Sequence, residues 1–438
     1  MRTTAAVAAV LAVTGAAIGW APAASATPAE CVTQPLGTAG LYAEFIEKDS
    51  VRHADSEGAV AVGGDATFGE PGLSGFSVGS KLSDADLAKL PGGHSLVVGG
   101  TLKANGVVLV KGSGIAGKVV DDSRGGGFGV DGDKVATGPS PIDFGKEFTE
   151  LRKRSTAWAG IKPNGEAAVD GRSLYLTGTD AKLNVFALSS ADLEKAGEIY
   201  LKVPVGSSTL VNVIGASYDM QAKPTSGVWI SEGGAYVQDD YDRHTDGHKS
   251  IRSKLLWNFP QAETVKKNYA AWPGAILAPN AAVSMGSKGG YGPGHINGSV
   301  IAESLDTVPG AETHQMNFTG CLPEVTTPGP VVTPGTPKPT DTPAPKPSTT
   351  TPAPEGTPTA PEGTGTPSAS PSTPGAPGET PGGTPSGSAP APAPSATPEG
   401  DLATTGSAIG PGAIGAAVAA VLVGGGFLAF AKRRRRTS

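Results

Sequence analysis

Short apolar runs separated by turn residues dominate the chain between residues 59 and 302. Each run is rich in Val, Ile, Leu and Ala and is bounded by Gly, Asn, Asp or Pro, which is the pattern of a β-strand. The runs are 59–68, 95–102, 106–110, 173–176, 183–188, 199–203, 209–214, 228–231, 276–278 and 298–302. Residues 60–64 (VAVGG) nearly repeat at 96–100 (LVVGG). Stacked coils of a β-solenoid use short strands that end in Gly-Gly corners, but a β-sandwich uses similar strands, so the pattern alone predicts either.

Four segments follow helical periodicity instead. Residues 39–48 carry Leu41, Phe45 and Ile46 as an apolar stripe, and residues 144–158 follow a capping Asp143 with apolar residues three and four apart. Residues 83–90 and 190–196 are shorter candidates. We expect the apolar sides of these helices to face the core of a mainly β domain.

The first 26 residues have the pattern of a secretory signal peptide. Arg2 supplies the positive charge, residues 5–19 are apolar, and Ala24 and Ala26 form a small-x-small cleavage site. The mature chain is therefore predicted to begin at Thr27, and residues 27–322 form the expected folded domain.

Residues 323–401 are predicted to be a disordered stalk. Residues 323–400 contain 23 of the 39 prolines and no aromatic residue, so they bury too little apolar surface to fold. Proline favours the extended polyproline II conformation, and at about 3.1 Å per residue the stalk would reach on the order of 240 Å. That length suits a spacer across a cell wall.

The last segment, 402–438, contains a pentapeptide, an apolar run at 409–431 that is long enough for a transmembrane helix, and a basic tail at 432–436. This order resembles the cell-wall sorting signal of Gram-positive bacteria, in the LAxTG variant of high-GC actinobacteria. The pentapeptide consists of Leu402, Ala403, Thr404, Thr405 and Gly406. The resemblance implies that a sortase, of the class E type, cuts after Thr405 and joins its carboxyl group to peptidoglycan. A permanent membrane anchor is the alternative.

Charge and cysteine content narrow the function of the domain. Residues 27–322 contain 26 basic and 33 acidic residues, and this net negative charge repels phosphate, so we do not expect nucleic acid as a partner. Cys31 and Cys321 are the two cysteines of the chain. Outside the cell such a pair is expected to oxidise, which predicts a disulfide that holds the two ends of the domain together.

One acidic loop is the candidate metal site of the sequence. Asp239, Asp240, Asp242 and Asp246 offer hard oxygen donors suited to Ca²⁺, although the spacing is not that of an EF-hand and a solvated polar loop is the alternative. His244 and His248 in the same loop suit zinc, but the sequence does not identify a third ligand.

We predict no catalytic residues. Residues 75–79 match the GxSxG pattern of serine hydrolases, but they lack the preceding buried strand and the following helix. Several aromatic residues are candidates to line a glycan site or to fill the core. They are Tyr218, Trp229, Tyr236, Tyr241, Trp257, Trp272 and Tyr291.

Several segments, in order along residues 34–322, resemble the choice-of-anchor A family of bacterial surface domains. They are 36–39, 56–66, 257–260, 274–279, 296–302, 312–314 and 318–321. The resemblance implies a right-handed parallel β-helix like that of ice-binding proteins, with a flanking α-helix and an adhesive role without an established active site. Ice binding itself is not expected, because the chain lacks regular threonine arrays.

The sequence therefore predicts a secreted, sortase-anchored adhesin of the cell wall that is not an enzyme and needs no cofactor except, at most, Ca²⁺. Its ligand would be a surface, a glycan or a matrix protein. A wall-anchored carbohydrate-active enzyme and a self-associating coat protein are the alternatives.

Overall fold

The structure is a computed structural model, and it describes residues 31–70, 75–121, 135–222, 225–241, 244–286, 293–324 and 331–339. All of these residues belong to one compact unit, Met1–Pro347. The strands of its first half are β1 (Cys31–Thr33), β2 (Glu44–Ile46), β3 (Ser50–Arg52), β4 (Asp55–Ser56), β5 (Val60–Val62), β6 (Ala66–Phe68), β7 (Phe76–Val78), β8 (His94–Ala104), β9 (Val107–Leu109), β10 (Ser113–Asp121) and β11 (Val135–Thr137).

The strands of the second half are β12 (Glu166–Asp170), β13 (Ser173–Thr177), β14 (Leu183–Ser189), β15 (Glu198–Lys202), β16 (Ser208–Ile214), β17 (Ser217–Asp219), β18 (Gly227–Glu232), β19 (Ala235–Gln238), β20 (Leu255–Asn258), β21 (Thr264–Lys267), β22 (Trp272–Pro273), β23 (Ala275–Met285), β24 (His295–Gly298), β25 (Val300–Thr307), β26 (Glu312–Gln315), β27 (Cys321–Pro323) and β28 (Lys338–Pro339). The helices are α1 (Asp84–Leu87), α2 (Phe144–Ala159), α3 (Ser190–Lys195) and α4 (Asp246–Ser253), with 3₁₀ turns at Gly37–Leu41 and Pro91–Gly93.

Parallel pairing between successive coils builds three ladders. The first runs β10-β8-β5-β2-β25-β23-β20-β16-β14. The second uses β6, β3, β21 and β17 together with the C-terminal halves of the long strands β8, β25 and β23. The third consists of β9-β7-β4-β26-β24-β22 and, in a separate sheet, β18-β15-β13. This is a mainly β, solenoid-like coil, as predicted, and not a pair of antiparallel sheets; its handedness stays a prediction.

The chain does not fill this coil from one end to the other. It begins in the middle, where β2 pairs with both β5 and β25, and it winds outward to β10 and β11. Helix α2 then returns along the side, and the chain restarts at β12–β14 and winds back until β25 meets β2. The first and last turns of the coil, which contain β2 and β25, therefore meet near its middle.

Two hydrophobic cores flank the first ladder. Val60 and Val62 point into the coil, whereas Ala61 points outward to a second core beneath α2. Because both sides of this ladder are buried, its strands read as continuous apolar runs. The second ladder has one exposed side, and its strands alternate: in β6, Ala66 and Phe68 are buried and Thr67 is only partly buried.

Helix α2 closes the outer core. The Asp143 side chain caps it by accepting from the Lys146 amide at 3.0 Å. Phe148, fully buried, stacks on Phe45 of β2 with ring centroids 5.5 Å apart. Further along the helix, the Trp158 carbonyl accepts a hydrogen bond from Asn212 of β16 at 3.0 Å. The helix thereby bridges the two halves of the coil.

The structure confirms all ten predicted strand regions, with shifts of a few residues, and the predicted helices at 83–90, 144–158 and 190–196 as α1, α2 and α3. The Gly-Gly repeat is also confirmed as stacked coils, because Val60, Ala61 and Val62 pair in register with the strand of the second copy.

The predicted helix at 39–48 is wrong. The segment forms a 3₁₀ turn at Gly37–Leu41 and then the strand β2. In β2, Phe45 faces the outer core and Ile46 faces the inner core. An apolar stripe and a strand buried on both sides give similar patterns over so few residues.

The beginning of the predicted stalk contacts the domain. Residues 331–339 lie beside it: the Val332 amide donates to the Ala159 carbonyl at 3.0 Å, and β28 pairs with the edge strand β12. The part of the stalk beyond residue 339 lies outside the described residues.

The disulfide between Cys31 and Cys321 is present, with Cα atoms 5.5 Å apart, so the two domain ends meet as predicted. The antiparallel pair β1–β27 carries both cysteines. In the parts of the chain that the structure describes, no helix combines the length and hydrophobicity needed to cross a bilayer.

Candidate functional site

The region of the predicted acidic loop lies between the hairpin β18–β19 and helix α4. The sequence suggested one loop from Asp239 to His248, but Asp246 and His248 belong to the first turn of α4. Thr245 caps this helix, and its hydroxyl accepts from the His248 amide at 3.3 Å. A Thr N-cap before a short amphipathic helix is the sequence signal that could have found α4.

Asp239 is the centre of a buried polar network. Its Oδ1 accepts hydrogen bonds from Arg252 Nη1 at 3.0 Å and from His248 Nε2 at 2.9 Å, and its Oδ2 accepts from Asn297 Nδ2 at 2.6 Å. The side chains of Asp239, His248 and Arg252 are all fully buried. A buried charge needs a partner of opposite sign, and the Arg252 guanidinium neutralises the Asp239 carboxylate.

The hydrogen bond to Asp239 fixes the proton of His248. Because a carboxylate only accepts, Nε2 of His248 carries a hydrogen, and Nδ1 is the ring nitrogen left to contact another group. This Nδ1 is buried without a hydrogen-bond partner and lies 3.7 Å from Oε2 of Glu232, at the end of β18.

His244 stacks on His248, with ring centroids 3.8 Å apart and planes at 7°. Its Nε2 accepts from the Asp240 amide at 2.9 Å, and its Nδ1 is also buried without a partner. Burial, with His248 alongside, lowers the pKa of His244, so the ring is neutral at pH 7.

Glu232, His244 and His248 are the single group of three donors that could hold a metal ion within the described part of the chain. One donor atom from each lies within 4.8 Å of the others. Glu232 is the third donor that the sequence did not identify. Gly233 and Gly234, with φ of 58° and 93°, form the hairpin turn that places Glu232 beside β19, the strand leading to Asp239. The Gly-Gly pair is the sequence signal that could have predicted this hairpin.

The predicted Ca²⁺ ligands do not form one site in the described residues. Asp239 is occupied by the network above, Asp240 Oδ1 accepts from the Tyr241 amide at 2.7 Å, and Asp246 is exposed in the first turn of α4. Asp242 lies outside the described residues. Calcium binding by these aspartates stays a prediction.

The polar network continues across the third ladder. Asn297 Oδ1 is 2.8 Å from His314 Nδ1, and His314 packs against Tyr241 with ring centroids 3.9 Å apart. The Tyr241 hydroxyl donates to Glu57. Burial lowers the pKa of neighbouring His295 to about 2, so that ring is neutral. The Asn297–His314 contact joins β24 to β26, and the Tyr241–Glu57 hydrogen bond joins the second half of the coil to the first half.

The outward side of the second ladder, here called the open face, is exposed to solvent. Its central row crosses seven strands in register: Asp219, Lys266, Ser284, Asp306, Val51, Thr67 and Lys103. At about 4.8 Å per strand, this row is roughly 29 Å long. A second row of small residues lies beside it, comprising Ser217, Thr264, Ala282 and Ser304. The open face therefore presents one row of mixed character, with four charged residues, and one row of small side chains.

An aromatic ladder lies on the outside of β13, β15 and β18. Tyr175, Tyr200 and Trp229 are in register, with centroid separations of 4.8 and 5.1 Å, and Tyr236 packs edge-on against Tyr200 at 5.0 Å. The rings cover one another's faces, so the ladder stabilises this sheet.

The other aromatic candidates are in different places. Tyr218, Trp257 and Trp272 are buried in the coil, and Tyr291 lies outside the described residues. The described aromatic residues thus do not converge on one predicted glycan site.

The predicted cleavage site at Ala24, Ala26 and Thr27, the pentapeptide at 402–406 and the apolar run at 409–431 lie outside the described residues. Secretion and wall anchoring stay predictions.

A family model described as an ice-binding-like adhesive domain matches residues 35–315. The match covers well over half of the chain, and the chain belongs to this family. No curated protein matches the chain significantly.

Three solved structures of ice-binding proteins are similar to this chain. The protein from an Antarctic Biological Consortium is 12% identical, with 64% of this chain and 89% of that chain covered and a TM-score of 0.27. The protein of the Antarctic ascomycete Antarctomyces psychrotrophicus is 12% identical, with 65% and 97% covered and a TM-score of 0.24. Ice-binding protein 1 of Shewanella frigidimarina is 11% identical, with 64% and 97% covered and a TM-score of 0.27. At such TM-scores the fold assignment depends on the strand pairing and not on these similarities.

Proposed function

We propose that this protein is a secreted, sortase-anchored adhesin of the cell wall, and that its domain acts by binding and not by catalysis. Membership of an adhesive-domain family supports the role of the domain. The order of signal peptide, domain, proline-rich stalk and LAxTG sorting signal in the sequence supports the location.

The open face is the surface through which we propose that the domain adheres, and it is the observation that carries this proposal. Helix α2 covers the outward side of the first ladder, whereas the second ladder is contacted by α3 at its last strand, β17, where the Asp219 amide donates to Glu194 at 2.8 Å. The row of small side chains on this face leaves room for an extended partner to approach the sheet closely.

The chemistry of the open face favours a polar polymer. Its exposed groups are hydroxyls of Ser and Thr with a few charges of both signs, including the Asp219–Lys266 ion pair at 3.0 Å. Hydroxyl and charged groups suit the hydrogen-bonding pattern of a glycan or of an extended matrix protein.

Adhesion of cells that display the full chain would test the open face. Ala282 is exposed in the row of small residues, and Ala282→Arg should block close approach and reduce adhesion to glycan and matrix-protein arrays at least tenfold. Thr149→Arg, which places the same side chain on the exposed side of α2, is the matched control and should adhere normally.

Equal adhesion by wild type and Ala282→Arg would rule out the open face. Turnover of a polysaccharide by the purified protein would favour the enzyme alternative, and self-association without any ligand would favour a coat.

Anchoring has a separate test. In the proposal, a sortase of the class E type cleaves the Thr405–Gly406 bond and attaches Thr405 to peptidoglycan, so Thr405→Ala should move the protein from the cell-wall fraction to the membrane fraction. Covalent attachment of Thr405→Ala to peptidoglycan at the wild-type level would contradict the sorting proposal.

A further inference from the structure

We propose that Glu232, His244 and His248 form a site for a divalent transition-metal ion of the zinc class. Three observations carry the proposal: the three donors converge within 4.8 Å, both ring nitrogens that lack partners are buried, and a carboxylate stands beside them.

His248 has the arrangement of a metal-ligating histidine. Its Nε2–H donates to Asp239, and its Nδ1 faces Glu232. A histidine ligand typically donates its second nitrogen to a carboxylate, which fixes the tautomer and raises the basicity of the ligating nitrogen. Arg252 and Asn297 hold that carboxylate in place.

The charges around the site suit a cation. Arg252 and Asp239 neutralise each other, and the two histidines add no charge while neutral, so Glu232 leaves one negative charge facing the ring nitrogens. A lone pair without a donor in a buried site is costly, and a bound cation removes that cost.

The donor set selects the class of metal. Two imidazole nitrogens and one carboxylate suit Zn²⁺, Co²⁺ or Ni²⁺, whereas Ca²⁺ takes six to eight oxygen ligands. Three protein ligands leave the fourth position of a tetrahedral zinc open to water or to an external group.

Metal binding requires one local change. Because the rings of His244 and His248 are nearly parallel, their in-plane lone pairs cannot meet at one ion until one ring turns. His244 is the ring that can turn, since its contacts are this stacking and the bond from the Asp240 amide, whereas His248 is held by Asp239. When His244 binds a metal through Nδ1, its proton moves to Nε2. Nε2 can then no longer accept the hydrogen bond from the Asp240 amide, and that bond is lost.

The test uses the purified protein without a histidine tag, stripped of metal by a chelator, and titrated with Zn²⁺, Co²⁺ and Ca²⁺ in turn. Calorimetry should show one Zn²⁺ per chain, and Co²⁺ should give the visible spectrum of a low-coordinate ion. Glu232→Gln and His244→Gln should each weaken Zn²⁺ binding by about 10–100-fold or more. Both side chains are partly exposed, so these variants should retain the wild-type circular dichroism.

His94→Gln is the matched control, because His94 contacts Ser113 at a distant coil and should leave Zn²⁺ binding unchanged. Nitrogen-detected NMR of the histidines provides a second readout: Zn²⁺ should shift the Nδ1 resonances of His244 and His248 and leave those of His94 in place. Absence of Zn²⁺ and Co²⁺ binding, binding that survives both variants, or a preference for Ca²⁺ would each overturn the proposal.

Discussion

Glycine corners show how single residues set the distance between coils. Gly63 and Gly99 lie one above the other at the turn between the first and second ladders. A Cβ on Gly99 would lie 2.2 Å from the carbonyl oxygen of Gly63, and backbone atoms cannot move aside as a flexible side chain can. This close approach is the reason that the Gly-Gly pair of residues 63–64 recurs at 99–100.

Gly99→Ala should lower the free energy of unfolding by about 1–3 kcal/mol, because the added methyl group forces the two coils apart. Gly145→Ala in α2 is the matched change, since its Cβ would meet only the Asp143 side chain, at 3.6 Å. That variant should be neutral or gain up to about 1 kcal/mol, because alanine favours the helix. Urea unfolding would measure both, and equal effects of the two variants would contradict the stacking argument.

Lys267 is a fully buried lysine inside the coil. Its Nζ donates to the carbonyl oxygens of Asn268 and Ala270, and no carboxylate of the described residues forms an ion pair with it. Burial lowers its pKa from 10.5 to about 7. The folded state therefore binds fewer protons than the unfolded state between about pH 7 and 10.5.

Wild type should gain stability relative to Lys267→Met as the pH rises from about 7 towards 10, by a few kcal/mol in total. The unfolded lysine stays charged across this window, whereas the folded lysine becomes neutral and so avoids the cost of a buried charge. Because the unfolded state then binds more protons than the folded state, the free energy of unfolding rises with pH. Urea unfolding of both proteins at several pH values would measure the difference, and buried tyrosines affect both equally. A difference that does not change with pH would show that Lys267 keeps an ordinary pKa.

Helices and strands in this protein are defined by which of their sides are buried. The sequence identified α2 correctly because its apolar residues lie on one side for four turns. It assigned residues 39–48 to a helix because β2 is buried on both sides and therefore lacks the alternation of an exposed strand. It missed α4, which is short and mostly polar.

Packing of α2 on the first ladder is a testable element-scale contact. Phe148 is fully buried between α2 and Phe45, and Phe148→Ala should lower the free energy of unfolding by about 3–5 kcal/mol through lost burial and the cavity left behind. Glu150→Ala, on the same helix, removes only an exposed ion pair with Lys153 and should change stability by less than about 0.5 kcal/mol. A small loss for Phe148→Ala in a denaturant titration would mean that α2 does not close the outer core.

For the whole molecule, the decisive feature is that the coil closes in its middle. β2 pairs with β25, whereas the disulfide joins Cys31 to Cys321 beside β16, where the Cys321 amide donates to the Ser208 hydroxyl at 2.8 Å. Force applied to the stalk therefore first loads the contacts of residues 331–339 with α2 and β12, and then β27, which carries the covalent link.

Reduction of the disulfide should lower the free energy of unfolding by about 2–4 kcal/mol, because the link closes a loop with a sequence separation of 290 residues and restricts the unfolded chain. Urea unfolding with and without reductant would measure this loss. The double variant Cys31→Ser, Cys321→Ser should be as stable as the reduced protein and should not respond to reductant. An equally stable reduced wild type would show that strand pairing alone holds the ends together.

The sequence by itself determined where strands form, which ends are joined and where the aspartates and histidines cluster, because strand patterning, cysteine pairing and residue type are local properties. Only the tertiary structure decided the order of the coils, the open face and the partnership of Glu232 with His244 and His248. The physical reason is the same for each: parallel pairing and packing bring together residues that are far apart in the chain, such as Glu44 and Val300, and no local pattern records that distance.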